Sequence, residues 1–361
     1  MKKITFASWG NYTIAFKTLL QRLGFEVFPP AKTNPKVIEE GVKLSPELFC
    51  FPLKVNIGNY LSALKKGADT IIMWESIGGS CRMRYYWIVQ EKILREAGFN
   101  VKVLNFNSQN LLSRIKEIKR LNHISLWQLL KATRFFFKEI SFIEKLEEKA
   151  QYFRAKEKEK GQTEKALREA LEKLEQTTSS KGLSELAKET WKKFSKIEID
   201  KNREVLRVGI IGEIYTIVDG EVNFGLDKKL GEMGIQIHRK LNLTQHLRGG
   251  FSPWNEWLLQ RKINSYLKST VGGHGRQAIE EMLEYAKKGF DGVIHLLPFG
   301  CMPEVTVRPI LQKISQEKRL PFLSISLDEQ TAEAGIQTRL EAFTDLLWSY
   351  HKNKPFNHST I

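Results

Sequence analysis

Only three cysteines occur among the 361 residues, and no two stand as C-x-x-C. That excludes a disulfide-stapled scaffold, a zinc knuckle and a local ferredoxin-type cluster motif. There is no G-x-x-x-x-G-K-[ST] run, so a P-loop nucleotide site is not encoded. No apolar run reaches the length needed to cross a bilayer, and Met1-Lys2-Lys3 is followed by mixed sequence rather than the apolar stretch of a signal peptide. With an odd, sparse cysteine count, the expectation is a cytoplasmic protein in a reducing compartment, without membrane attachment.

Acidic residues are also in short supply: 41 Asp and Glu face 57 Lys and Arg, a formal charge of +16. Such a balance attracts phosphates through counterion release. Much of the excess lies between about Lys116 and Arg203, interleaved with glutamate at helical spacing, as in Glu144-Lys145-Leu146-Glu147-Glu148-Lys149. A solvated helix face explains that pattern. No RNA-reading aromatic motif or zinc finger accompanies it, so nucleic acid is disfavoured as a partner, and an acidic protein or an anionic cofactor such as a coenzyme A phosphate is preferred.

What is present is a repeated placement of the cysteines. Cys50 in Phe49-Cys50-Phe51-Pro52, Cys81 in Gly78-Gly79-Ser80-Cys81-Arg82 and Cys301 in Phe299-Gly300-Cys301-Met302-Pro303 each stand where a loop runs into a helix start. Taken singly, a free cysteine reads as a small buried hydrophobe. At helix N-termini, however, exposed N–H groups and the helix dipole favour the thiolate, and flanking Gly or Pro lets the backbone turn around a ligand. Converging segments would give three thiolates and leave a metal or iron–sulfur cluster one free position.

A chain of this length suggests two cores. From Lys3 to about Phe106, strand and helix signals alternate: strands at Ile4–Ala7, Phe25–Phe28, Thr70–Trp74 and Asn100–Leu104, helices at Tyr12–Leu23, Pro52–Lys66 and Arg82–Ala97. The stretch from about Ser108 to Ile199 shows only helical spacing, with a break at Thr177-Thr178-Ser179-Ser180-Lys181-Gly182. Alternation resumes with strands at Leu206–Glu213, Ile235–His238, Gly292–Leu297 and Pro321–Leu327, and helices at Gly225–Met233, Gln277–Lys288 and Val305–Glu317. The expected fold is α/β, two Rossmann-like parallel-sheet domains (1–107 and 204–361) with a central helical segment (108–203). Cys81 and Cys301 follow strands of different domains, which points to a site in the cleft between them.

Other residues are candidates with structural alternatives. In Gly272-Gly273-His274-Gly275-Arg276, His274 or Arg276 could contact an anion, or the run could be a tight turn. Glu213, at a strand end, could act in proton transfer or behind a ligand, or serve as a structural carboxylate. Glu304 would be favoured by the helix dipole without any catalytic reason. Arg82 and Arg84 could balance an anionic cluster or bind a coenzyme A phosphate, or simply be solvated.

The run Gly292-Val293-Ile294-His295-Leu296-Leu297-Pro298-Phe299-Gly300-Cys301-Met302-Pro303-Glu304, with Asp328-Glu329-Gln330-Thr331-Ala332-Glu333-Ala334-Gly335 and Thr338-Arg339-Leu340-Glu341-Ala342-Phe343, resembles the 2-hydroxyacyl-CoA dehydratase D-component family and its relatives termed CoA-substrate-specific enzyme activases. Gln21-Arg22-Leu23-Gly24-Phe25-Glu26-Val27 and Cys50-Phe51-Pro52-Leu53-Lys54 with Gly58 resemble that family's approach to its first cluster loop. The resemblance spans both α/β regions and not the central helical one. It implies a [4Fe-4S] cluster held by Cys50, Cys81 and Cys301, with the fourth iron position open. It also implies a CoA thioester substrate, electrons from a separate ATP-dependent activator protein, and a related subunit or a homodimer. Reductive or radical chemistry on an acyl-CoA or other small molecule is the expected function. A non-catalytic electron relay and a metal-free or zinc-stabilised basic binding protein are the alternatives.

Overall fold

The computed structural model describes residues 2–74, 81–106, 110–249 and 253–352. Two four-stranded sheets form, each entirely parallel, as the alternation of strands with helical crossovers requires. In the N-terminal sheet the strands β1 (Lys3–Thr5), β2 (Glu26–Val27), β3 (Thr70–Trp74) and β4 (Lys102–Phe106) lie in the order β2-β1-β3-β4. In the C-terminal sheet β5 (Leu206–Gly212), β6 (Ile235–Arg239), β7 (Gly292–Pro298) and β8 (Phe322–Leu327) repeat that order as β6-β5-β7-β8. The fold class expected from the sequence is the one observed. Every residue of β7 is buried, the pattern of a central parallel strand covered on both faces.

Between the sheets in sequence run four helices, Leu111–Asn122, Leu126–Lys156, Gln162–Gln176 and Ser180–Phe194. The second opens on a capping box, in which the Ser125 hydroxyl accepts from the Gln128 N–H and the Gln128 side chain accepts from the Ser125 N–H. The break expected near Thr177 falls between the third and fourth. Exposed ion pairs such as Lys173–Glu189 and Lys193–Glu169 join those two helices, so part of the basic charge is neutralised locally.

One continuous core joins the N-terminal sheet, the long helix Leu126–Lys156 and one face of the C-terminal sheet. A second core fills the other face of that sheet, against the helices Pro253–Ile263, Gly275–Lys287 and Met302–Lys318. Contacts between the sheets are polar as well as apolar. Asp219 Oδ2 accepts from Ser8 Oγ at 3.1 Å and Thr33 Oγ1 at 2.8 Å, and buried Lys54 pairs with Glu329.

Several elements differ from the sequence reading. The segment read as a helix from Arg82 starts as a 3-10 turn (Arg82–Tyr85), and the α-helix begins at Tyr86. Helices Pro35–Leu44, Ile214–Val218, Leu243–Gly249, Pro253–Ile263 and Glu333–Lys352 were not expected. The Gly78-Gly79-Ser80 part of the Cys81 loop lies outside the described residues.

Candidate functional site

The strand order β2-β1-β3-β4 reverses between β1 and β3, and the C-terminal sheet reverses between β5 and β7. Ligands collect at such switch points, beyond the carboxyl ends of the strands. Here both switch points open onto one small cavity, of about 30 Å³. Trp9 follows β1, Trp74 ends β3, Glu213 and Tyr215 follow β5, and Glu304 follows β7; all line it. Cys50, Cys81 and Cys301 line the same cavity, so residues 251 positions apart in sequence (301 minus 50) share one space.

Each cysteine is the residue immediately before a helix: Cys50 before Phe51–Leu64, Cys81 before the 3-10 turn and Cys301 before Met302–Lys318. Almost every residue of Phe51–Leu64 is buried, Lys54, Asn56 and Asn59 included, and this fixes Cys50 inside the molecule. Two of the loops touch directly. The Phe51 N–H donates to the Phe299 carbonyl oxygen at 3.0 Å, and Gly300, at a φ of 73°, packs so closely that a Cβ there would stand 3.2 Å from the Cys50 Cα. Arg82 ties all three loops together: beside Cys81, its guanidinium donates to the carbonyl oxygens of Leu48 at 3.2 Å and Gly300 at 2.7 Å. Its charge lies on the backbone of the cysteine loops rather than in the cavity lining.

Burial works against the expectation that helix starts leave these thiols ionised. Burial pushes Cys50 up to about 12 and raises Cys81 and Cys301 too. The backbone N–H groups of Leu53, Met83 and Glu304 pull downward, as a helix start should, and Arg82 helps at Cys81; burial outweighs them, because removing a charge from water costs more than a few oriented dipoles return. Cys50 Sγ also lies 2.8 Å from the Tyr86 hydroxyl, whose own ionisation is suppressed by burial and by Cys50, so Tyr86 is the natural donor once the sulfur is ionised.

The other candidates separate. Glu213 lines the cavity and caps Ile214–Val218 by accepting from the Thr216 N–H at 3.0 Å; burial lifts its carboxyl to about 7. His274 lines the cavity and is joined by His246, which nothing in the sequence had marked; their rings meet at 3.0 Å between His246 Nδ1 and His274 Nε2. Burial pushes His246 down to about 4 and His274 also downward, keeping both neutral. Arg276 is turned to Glu256 and Gln260 and does not line the cavity. Glu304 is fully buried, and its Oε2 lies 2.9 Å from Nε2 of His295, an equally buried side chain of β7. That pairing, rather than the helix dipole alone, holds its carboxyl in place.

The residues suit an iron–sulfur group by donor chemistry. Three thiols share a cavity with hydrogen-bond donors at the sulfurs, and among the described residues no group of three His, Cys, Asp or Glu is arranged around one metal ion. Cluster cysteines each bind a different iron and need not converge on one point. A bound cluster's iron would balance the thiolate charges and so offset the cost of burying them.

Fold and site together define a two-sheet α/β protein with a three-cysteine cavity where the sheets meet. Residues 6–77 match the family model of the CoA enzyme activase uncharacterised domain, and residues 258–347 match that of the 2-hydroxyglutaryl-CoA dehydratase D-component. The resemblance read from the sequence holds over both segments, the first containing Cys50 and the second Cys301, with Cys81 just beyond the first. The chain is thus similar to 2-hydroxyacyl-CoA dehydratase-type proteins. A comparison with curated proteins yields no match.

Proposed function

We propose that Cys50, Cys81 and Cys301 hold a [4Fe-4S] cluster and that the protein performs reductive or radical chemistry on an acyl-CoA or other small substrate, with electrons from a separate ATP-dependent activator. The observation that carries this reading is that all three cysteines of the chain line one cavity at the switch points of both sheets. When bound, the cluster would supply one-electron redox chemistry and, at an iron without a cysteine ligand, Lewis acidity. The chain itself holds the three loops in register through Arg82, Gly300 and the Phe51–Phe299 hydrogen bond. Trp9, Trp74 and Tyr215 line the cavity beside the thiols, and Tyr86 would donate toward an ionised Cys50.

A pure electron relay needs the thiols and little else. This cavity adds two carboxyl groups and two neutral imidazoles, groups that bind and orient a substrate, which favours the enzyme. The test is anaerobic purification with measurement of iron, acid-labile sulfide and the electron paramagnetic resonance spectrum after reduction, beside the single variants Cys50→Ala, Cys81→Ala and Cys301→Ala. About four iron and four sulfide per chain, lost in each variant, is the expected result. Absence of iron after reconstitution, or indifference to all three substitutions, overturns the reading.

A further inference from the structure

The long helix Leu126–Lys156 lies outside both matched segments, and the solvent side of its first turns carries cations without counter-charges. From Ile118 to Lys138 the chain holds Lys119, Arg120, Lys131, Arg134 and Lys138 and not one Asp or Glu. None of the five forms an ion pair among the described residues, and outside those residues the sequence has a single acid, Glu75. The two following helices, by contrast, neutralise part of their charge, as in Lys173–Glu189 and Lys193–Glu169.

On the same face Leu126, Leu130 and Phe137, all exposed, form an apolar row at i, i+4 and i+11, and Trp127, Lys131, Arg134 and Lys138 form the row beside it. Trp127 is 65% exposed, with Lys131 Nζ 5.2 Å from its ring centroid. Protein interfaces concentrate such aromatic and arginine side chains as anchors, and the unpaired cations fit a partner of opposite charge. The face is also joined to the interior by ring contacts. Phe137 meets Phe136 with centroids 5.5 Å apart, and Phe136 meets Phe16 at 5.1 Å. Phe16 in turn meets Trp74 at 4.8 Å and Trp9 at 5.7 Å, and both tryptophans line the three-cysteine cavity. Electron tunnelling weakens with every gap between atoms, so this run of packed rings offers a connected route from the surface to the cavity wall.

We propose that this face of the helix docks an acidic electron-carrying protein, and that the electron enters through the ring contacts from Phe137 to Trp9 and Trp74. In the transfer the partner's redox group is oxidised by one electron and the centre on the cysteines is reduced by one, with no bond made or broken. The electron route rests on the proposed cluster, whereas the docking rests on the unpaired cations and exposed rings alone. A lipid surface would engage the same cations but would have no use for the ring contacts.

The probe is flavodoxin, an acidic protein that gives up one electron from its reduced flavin. Binding of oxidised flavodoxin to iron-free protein is read by calorimetry in about 0.1 M salt, where charges more than about 10 Å apart are largely screened. The triple variant Lys131→Glu, Arg134→Glu, Lys138→Glu should bind at least about tenfold more weakly, because like charges then face each other. The control Lys181→Glu, Lys192→Glu, Lys196→Glu makes the same change in net charge on another surface and should leave binding within about twofold. On iron-loaded protein, stopped-flow absorbance should show Phe16→Leu and Phe136→Leu slowing reduction by reduced flavodoxin several-fold, with binding of flavodoxin and reduction by titanium(III) citrate unchanged. Equal weakening in both triple variants, no binding of flavodoxin, or an unchanged rate in both ring variants overturns the proposal. So does binding of phosphatidylserine vesicles, but not flavodoxin, through Lys131, Arg134 and Lys138. Samples that hold no iron overturn the electron route together with the cluster, and the calorimetry still decides the docking.

Discussion

Replacing Glu147 should loosen the whole arrangement that brings the two sheets together. This side chain of the long helix Leu126–Lys156 accepts from Asn11 Nδ2 at 2.7 Å and the Tyr12 hydroxyl at 3.2 Å, both following β1, and from Arg239 Nη2 at 2.6 Å at the end of β6. Both charged side chains are about nine-tenths buried, at 10% and 8% exposure. Glu147→Ala therefore leaves a buried guanidinium with Asp227 at 3.8 Å and the Ile217 carbonyl oxygen at 2.8 Å as its remaining partners, and it orphans two neutral donors. Breaking one side of a buried ion pair costs about 3–5 kcal/mol, and the residual help from Asp227 places the expected loss near the lower end, about 3 kcal/mol. Urea denaturation followed by circular dichroism and by tryptophan fluorescence measures it. The double variant Glu147→Leu with Arg239→Met should recover most of the loss, because no charge is then left unpaired. A loss below about 1 kcal/mol in Glu147→Ala, or strictly additive single effects in the double variant, would refute the reasoning.

Glu139 lies fully buried, and burial lifts it from 4.5 to about 8 against the pull of Thr18 and Arg22. Because the folded value lies above the unfolded one, its contribution is fully present below about pH 4.5 and is lost as pH rises through about 8, by roughly 3–5 kcal/mol. Glu139→Gln should flatten that dependence and be the more stable form at alkaline pH; denaturation midpoints that follow pH identically in both proteins would count against it. Gly300→Ala forces a side chain onto a φ of 73° and against the Cys50 backbone, so it should lower iron retention with a smaller loss of helix content, checked by metal analysis beside circular dichroism. Tyr86→Phe removes the hydroxyl 2.8 Å from Cys50 Sγ, and the reduction potential of the reconstituted centre should become more negative; an unchanged potential would mean the hydroxyl does not donate to that sulfur.

The sequence alone was enough for the parallel α/β architecture, because buried central strands such as Gly292–Pro298 are largely apolar and alternate with helical spacing, here after a helix stopped by Gly289. It also carried the position of each cysteine before a helix, since Phe51-Pro52 and Met302-Pro303 are local start signals. Short helices such as Ile214–Val218 and Leu243–Gly249 were not legible, as a helix of 5 or 7 residues holds too few turns to set a period and is stabilised by what it packs against. His246 and His295 were invisible as site residues for the same reason: a lone histidine acquires a role only from the ring or carboxylate that the fold brings to it. The ionisation of the thiols ran opposite to expectation because the dipole at a helix start is a local property, whereas burial depends on the packing of both sheets around the cavity. Local chemistry, then, was written in the chain, which determined the strand and helix pattern and the three thiol loops. The shared cavity, the buried Glu304–His295 pair and the neutral histidines were decided only by tertiary structure, since they depend on contacts between residues far apart in sequence.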